Sequence, residues 1–179
     1  RELAEAITDP TNPLTARVIV NRLWGLYFGR PLAATASNFG SLGEPPTHPE
    51  LLDYLTLRLL EANWSLKDLT RALVLSTAYS QSSVDPKSQI SNPNFADPEN
   101  KLLTHFPRRR LTVEQWRDSI LAATGRLEES LGGKSIDPQQ PAERRRTIYS
   151  RASRLELNKL LAMFDYPDPN VHADRRVET

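Results

Sequence analysis

Residues 12–81 read NPLTARVIVNRLWGLYFGRPLAATASNFGSLGEPPTHPELLDYLTLRLLEANWSLKDLTRALVLSTAYSQ, and this stretch decides the fold. Asn12-Pro13 is a helix start signal, and Gly29 is a stop. Between them, Leu14 to Phe28 is apolar on most sides, with Leu14, Val18, Ile19, Val20, Leu23, Trp24, Leu26, Tyr27 and Phe28, so the spacing predicts a central helix. Residues 30–47 hold three Pro and two Gly and read as an ordered loop. Thr47 with Glu50 three positions on, and Pro49 between them, predicts a capping box opening a second helix. Its apolar stripe is Leu51, Leu52, Leu55 and Leu59. Asn63-Trp64 breaks that pattern. Ser65 with Asp68 starts a third helix with Leu66, Leu69, Leu73 and Thr77 on one side. The short break predicts that the second and third helices pack as a hairpin.

Outside this block the signals thin. Residues 82–100 are rich in Ser, Asn and Pro and read as a long loop. Thr112 with Gln115 is another capping box. It opens a helix expected to bury Trp116, Ile120, Ala123 and Leu127. Gly132-Gly133 is a turn. Thr147-Ile148-Tyr149 is expected to be a very short extended piece. A last helix is expected over Leu155 to Phe164, stopped by Asp165-Tyr166-Pro167-Asp168-Pro169. The expected class is therefore mainly α: an irregular bundle of about five helices with long ordered loops and at most one very short β element.

The chain has 179 residues, which suits one domain, and 39% are hydrophobic, enough for a packed core. It contains no Cys, which excludes disulfides, thiolate metal sites and covalent haem attachment within it. No apolar run reaches the roughly 18 residues of a membrane span. Net charge is +1, but unevenly spread: residues 1–107 carry a net −2 and residues 108–179 a net +3. Of the 23 basic residues 18 are Arg. Arg favours bidentate contacts with carboxylate, sulfate-like and phosphate groups.

Two groups of residues are candidate sites. Arg17, Asn21 and Trp24 lie at i, i+4 and i+7 of the first predicted helix and share a face. A buried Arg or Asn needs partners. They either form a hydrogen-bond network tying the helix to the 30–47 loop, or line a polar pocket with Glu44 and His48 whose Arg clamps an anion. The second group is basic. Arg108, Arg109 and Arg110 precede the Thr112 helix; Arg144, Arg145 and Arg146, with Arg151 and Arg154, follow it. If the two runs converge in space they make an anion-binding patch. Three consecutive residues cannot all point one way, so at least one Arg of each run is expected to pair internally. The other reading is a solvated face, or pairing with carboxylates such as Asp165 and Asp168.

Other chemistry finds little support. The three His (48, 105 and 172) are far apart, without metal-ligand spacing, so no metal site is expected. Gly133-Lys134-Ser135 resembles the end of a phosphate-binding loop, but Glu128 stands where that loop needs Gly. No GxSxG nucleophile motif and no paired carboxylates stand out. Asn63-Trp64-Ser65 has the form of a glycosylation sequon, which the capping role of Ser65 explains better. Aromatic residues do not interleave with the Arg runs, which argues against nucleic acid as partner.

Several pieces, taken in order, carry a family resemblance: NPLTARVIVNRLW (12–24), NFG (38–40), GEPPTHPELLDYL (43–55), NWSLKDLTRALVLSTAYSQ (63–81), DPEN (97–100), PRRRLTVEQWRDSILAATGRL (107–127), RRTIY (145–149) and FDYPDPN (164–170). They resemble the planctomycete-specific, PSD-type C-terminal domain family of unknown function, usually found in large proteins that also carry cytochrome-c-like segments. The resemblance implies an exported, multidomain parent protein, periplasmic or at the cell surface, with roles there or in polysaccharide use. Any haem belongs to other domains of that parent, and no cofactor is expected in this chain. It implies no catalytic residues. Members continue past the Arg175-Arg176 region into a further Leu-rich helix, so the resemblance implies an excised, C-terminally truncated fragment. Three functions follow as expectations: a non-enzymatic helical module docking neighbouring domains or partners; a binding domain for anionic, sulfated polysaccharide using the Arg runs; or part of an enzyme whose site, around Arg17, Asn21, Trp24, Glu44 and His48, is shared with a neighbouring domain.

Overall fold

A computed structural model describes residues 1–9, 11–84, 97, 99–164 and 166–171. Its helices are α1 (Glu2–Thr8), α2 (Pro13–Phe28), α3 (Pro49–Glu61), α4 (Leu66–Val74), α5 (Val113–Ala123) and α6 (Lys159–Ala162), with a 3₁₀ turn at Thr147–Tyr149. Two isolated bridges, Glu128 with Arg145 and Ile136 with Ser150, are the β pairing among the described residues. The chain divides into two compact units, residues 1–109 and 110–179.

In the first unit α2 is the central helix, packed on α3 and α4, which also pack on each other. The Asn12 side chain accepts from Leu14 N at the start, Pro13 occupies the first turn, and Gly29 ends the helix in the left-handed conformation at φ 77°. Ala16, Val20, Trp24 and Phe28 recur every four residues, so they stack along one face and are buried. They meet Leu52, Leu55 and Leu59 of α3 and Leu69 and Leu73 of α4 in one apolar cluster. Trp24 and Phe28 stack at 3.9 Å, and Tyr79 and Phe106 extend the aromatic group beyond the helices. Asn63 and Trp64 turn the chain between α3 and α4 in left-handed conformations, and Ser65 caps α4 by accepting from Asp68 N.

Two expectations change here, and one helix was not anticipated. The N-cap of α3 is His48, and its side chain makes no cap bond. The Thr47 hydroxyl donates to Leu32 O instead (3.3 Å), because the 30–47 loop needs it to close. Leu66 and Thr77 face solvent rather than the α4 core. Residues 2–8, which carry no cap signal, nonetheless form α1, with no buried residue.

The second unit is built differently. Thr112 and Gln115 form both halves of the expected capping box. The buried face of α5, however, is Val113 and Arg117, one turn apart, rather than Trp116, Ile120, Ala123 and Leu127. Trp116 is 40% and Ile120 46% exposed. The helix rolls this way because the Arg117 guanidinium is surrounded by loop carbonyls. Thr147–Tyr149 is a 3₁₀ turn rather than an extended piece, and the bridges flank it. The last helix shrinks to Lys159–Ala162. Ser153 Oγ accepts from Leu155 N and Glu156 N, which holds that segment in a turn, and Asn158 caps the helix only at Leu160 N. Leu155 is consequently 99% exposed.

Candidate functional site

A groove of about 210 Å³ opens on the first unit. The C-terminal half of α2 supplies Trp24 and Phe28, the following loop supplies Arg30, Pro31, Leu32, Glu44 and Pro45, and residues 99–107 close the other side. His48 enters from the start of α3. Of the five predicted pocket residues, Trp24, Glu44 and His48 line this groove.

The other two have structural partners. Arg17 donates from Nε to Asp53 Oδ1 at 2.7 Å, and its Nη2 lies 2.6 Å from the same oxygen, pairing α2 with α3. Asn21 is fully buried. Its Nδ2 donates to Ala33 O at 3.0 Å and its Oδ1 accepts from Ala33 N at 2.8 Å. This is the hydrogen-bond tie between helix and loop.

The charged rim of the groove comes from residues that sequence reasoning left in a loop. Lys101 Nζ lies 2.9 Å from Glu99 Oε2, and Arg30 Nη1 lies 3.9 Å from the same oxygen while donating to Glu99 O at 3.1 Å. The hydrogen bond from Lys101, then its charge, with a smaller pull from Arg30, holds the Glu99 carboxyl below the usual Glu value. Asp97 accepts from Lys101 N and Leu102 N, both at 2.8 Å, and fixes the turn. Asn100 (φ 49°) and Leu103 (φ 52°) sit in the left-handed region, and both line the groove. Nothing in composition or periodicity signals this loop beyond its Asp-Pro start.

The Arg runs divide. Arg108 and Arg109 belong to the first unit; Arg110, Arg144, Arg145, Arg146 and Arg151 belong to the second. Arg109 donates from Nη1 to Leu26 O at 2.7 Å, capping a free carbonyl at the end of α2. Arg145 donates to Lys134 O at 2.8 Å and to Gly132 O, and its guanidinium lies 4.4 Å from the Tyr149 ring centre. At least one Arg of each run thus has a partner within the chain, and for Arg109 and Arg145 these partners are carbonyls. Arg108, Arg144, Arg146 and Arg151 are exposed. Of the carboxylates considered as partners, Asp165 lies outside the described residues and Asp168 accepts from Asn170.

Sequence reasoning missed Arg117. It is 8% exposed and donates to Pro138 O (3.2 Å), Arg145 O (3.0 Å), Glu143 O (2.7 Å) and Thr147 Oγ1 (3.0 Å). Asp118, 3.9 Å away, provides the countercharge and accepts from Thr147 N and Oγ1. The only signal was an Arg on the same helical face as Val113. His172 lies outside the described residues, and among those described no group of three or more His, Asp or Glu could hold a metal ion. No helix among them is long and apolar enough to cross a membrane.

These features define a mainly helical module, with an apolar bundle carrying a small charged-rim groove and a second unit pinned by polar bonds. The chain belongs to the PSD1 family, described as a protein of unknown function (DUF1553), whose model matches residues 1–179. Neither a curated protein nor a solved structure matches it.

Proposed function

We propose that this chain is a non-enzymatic interaction module of an exported multidomain protein, docking neighbouring domains or partners through the outward face of α5. The observation that carries this reading is the contrast between the units. The apolar cluster lies wholly in the first. Among the described residues of the second, Val113, Ile136 and Leu161 are the buried hydrophobics, while Trp116 and Ile120 stand outward one turn apart. The Trp116 ring lies 5.1 Å from that of Phe164. Aromatic side chains half-open to water beside a thin core are what a docking face requires. The export of the parent, and haem held in its other domains, rest on the family resemblance alone.

The test is calorimetric titration of this chain with the separately expressed neighbouring domains. Wild type binds, and Trp116→Asp with Ile120→Asp abolishes binding while the melting temperature stays within about 2 °C, as for surface substitutions. Equal binding by wild type and variant overturns the reading.

A second reading, binding of sulfated polysaccharide, is favoured by the exposed Arg108, Arg144, Arg146 and Arg151, whose guanidiniums have no hydrogen-bonding partner among the described residues. It requires binding to dextran sulfate that weakens steeply with salt and falls in the Arg144/Arg146/Arg151→Ala variant.

A further inference from the structure

We propose that the outward face of α5 is covered by the same face of a second copy of this chain, the two helices lying antiparallel about a two-fold axis level with Ser119 and Ile120. This rests on the reading of α5 as a docking face and names its partner.

The first observation is that α5 is inside out. Its three ionic residues, Glu114, Arg117 and Asp118, are buried or half-buried. Its exposed residues are Gln115, Trp116, Ser119, Ile120, Ala122 and Ala123, and none carries a charge. A surface helix ordinarily does the reverse, with charges in water and an apolar stripe inward. Here the bonds from Arg117 to the carbonyls of Pro138, Glu143 and Arg145 hold the charged side inward. Trp116, Ser119, Ile120 and Ala123 therefore form an outward stripe at i, i+3, i+4 and i+7, the spacing with which one helix packs on another. The Trp116 ring lies against that of Phe164 at 5.1 Å, which braces it in place.

The second is that the stripe complements itself. In a two-fold contact the same patch serves both copies, so each residue must suit its symmetry-related neighbour. With the axis midway between Ser119 and Ile120, positions equally far on either side face each other. Each Trp116 then lies opposite the partner's Ala123, about 5 Å along the helix from the axis. A bulky ring meets a small side chain at both ends of the contact, which is how facing layers interdigitate. Ser119, also small, sits beside the axis and lets the backbones approach to about 8 Å.

The third is charge. An uncharged face holds nothing to select an anionic or a cationic partner, and it meets its own copy without like-charge repulsion. Its size sets the strength. Eleven residues make a helix about 16 Å long. Such a contact buries less than the roughly 1,200 Å² of stable interfaces, so the pair is a transient one, with Kd of about 10–100 µM.

The experiment is sedimentation of the full chain from about 5 µM to about 1 mM, a range that spans this Kd. Single-cysteine crosslinking accompanies it, since the chain has no Cys of its own. Wild type is expected to pass from monomer to dimer, and to do so equally at low and high salt because no ion pair is involved. Ser119→Cys, beside the axis, is expected to form a disulfide-linked dimer on mild oxidation, far faster than Leu155→Cys on the 99% exposed Leu155. Trp116→Ala is expected to weaken the dimer about 10-fold, and so is Ala123→Trp, which adds apolar surface but sets ring against ring. The double variant Trp116→Ala/Ala123→Trp rebuilds the large–small pair in reverse order and should regain most of the affinity. Melting curves confirm that each variant is folded. A chain that stays monomeric to about 1 mM overturns the second copy as occupant. So does Ser119→Cys crosslinking no faster than Leu155→Cys, a dimer that dissociates in high salt, or Ala123→Trp associating more tightly than wild type. In each of these cases the docking reading itself is still decided by the titration with neighbouring domains.

Discussion

The side chain of Asn21 holds both backbone groups of Ala33, donating to its oxygen at 3.0 Å and accepting from its nitrogen at 2.8 Å, with all four atoms buried. This two-point clamp fixes the 30–47 loop against α2, and that loop forms one wall of the groove. Asn21→Ala leaves an N–H and a C=O buried without partners. The expected loss is about 2–6 kcal/mol, at the cost of about 1–3 kcal/mol for each orphaned group. Chemical denaturation reads it, and a loss under 1 kcal/mol would mean that the loop finds other bonds.

Arg117 plays the corresponding part in the second unit. Its donors satisfy the carbonyls of Pro138, Glu143 and Arg145 as well as the Thr147 hydroxyl. Arg117→Met keeps the bulk but strands these acceptors and the Asp118 charge, so it is expected to cost about 3 kcal/mol or more. Arg117→Lys should recover little, because an ammonium cannot reproduce the planar fork. Amide exchange across residues 137–149 gives the local readout: protection should collapse there first. Full rescue by Lys would show that charge, rather than fork geometry, holds the loop.

Gly29 and Arg109 should couple. Gly29 sits at φ 77°, and an added Cβ would overlap Arg109 Cδ. Gly29→Ala is expected to destabilise by about 1–2 kcal/mol, from left-handed strain and the clash together. Arg109→Ala alone removes the bond to Leu26 O and costs about 1 kcal/mol. In the double variant the clash disappears, so the losses should sum to less than the two singles. Strict additivity would place all the cost of Gly29→Ala in its backbone.

The Glu99 carboxyl, lowered by Lys101, contributes stability that is complete above its ordinary value of 4.5 and is lost as pH falls through its lower folded value. Wild type minus Glu99→Gln should therefore be flat at neutral pH and shrink in acid. The group is exposed, so the difference is small and should fade in high salt. A difference that grows on acidification would contradict this sign.

Much of the first unit was legible in the sequence because its helices are stabilised by apolar periodicity and local caps. Val20, Trp24 and Phe28 of the expected apolar helix are buried and Ser65 caps α4 within its own turn, while Leu14 and Leu26 of the same stretch face solvent. The second unit was less legible. Its α5 was recognisable from Thr112 and Gln115, but which face it buries depends on carbonyls some 20 to 30 residues away, bonded by Arg117. A Trp and an Ile one turn apart read as core, and a neighbouring Arg reads as surface. Long-range hydrogen bonds reverse both.

The candidate sites divide along the same line. Asn21 was marked by being polar on an apolar helix, and Arg17 by sharing its face. Their partners, Ala33 and Asp53, required the folded chain. The groove joins Trp24, Glu44 and His48 to Arg30, Glu99 and Lys101, drawn from segments up to 77 positions apart. The sequence by itself determined the helical class and the order of the main helices, because 3.6-residue periodicity and capping are local properties of the chain. Only the tertiary structure decided which arginines face solvent, which side of α5 is buried, and which charges gather around one cavity, because burial and electrostatic pairing depend on neighbours in space.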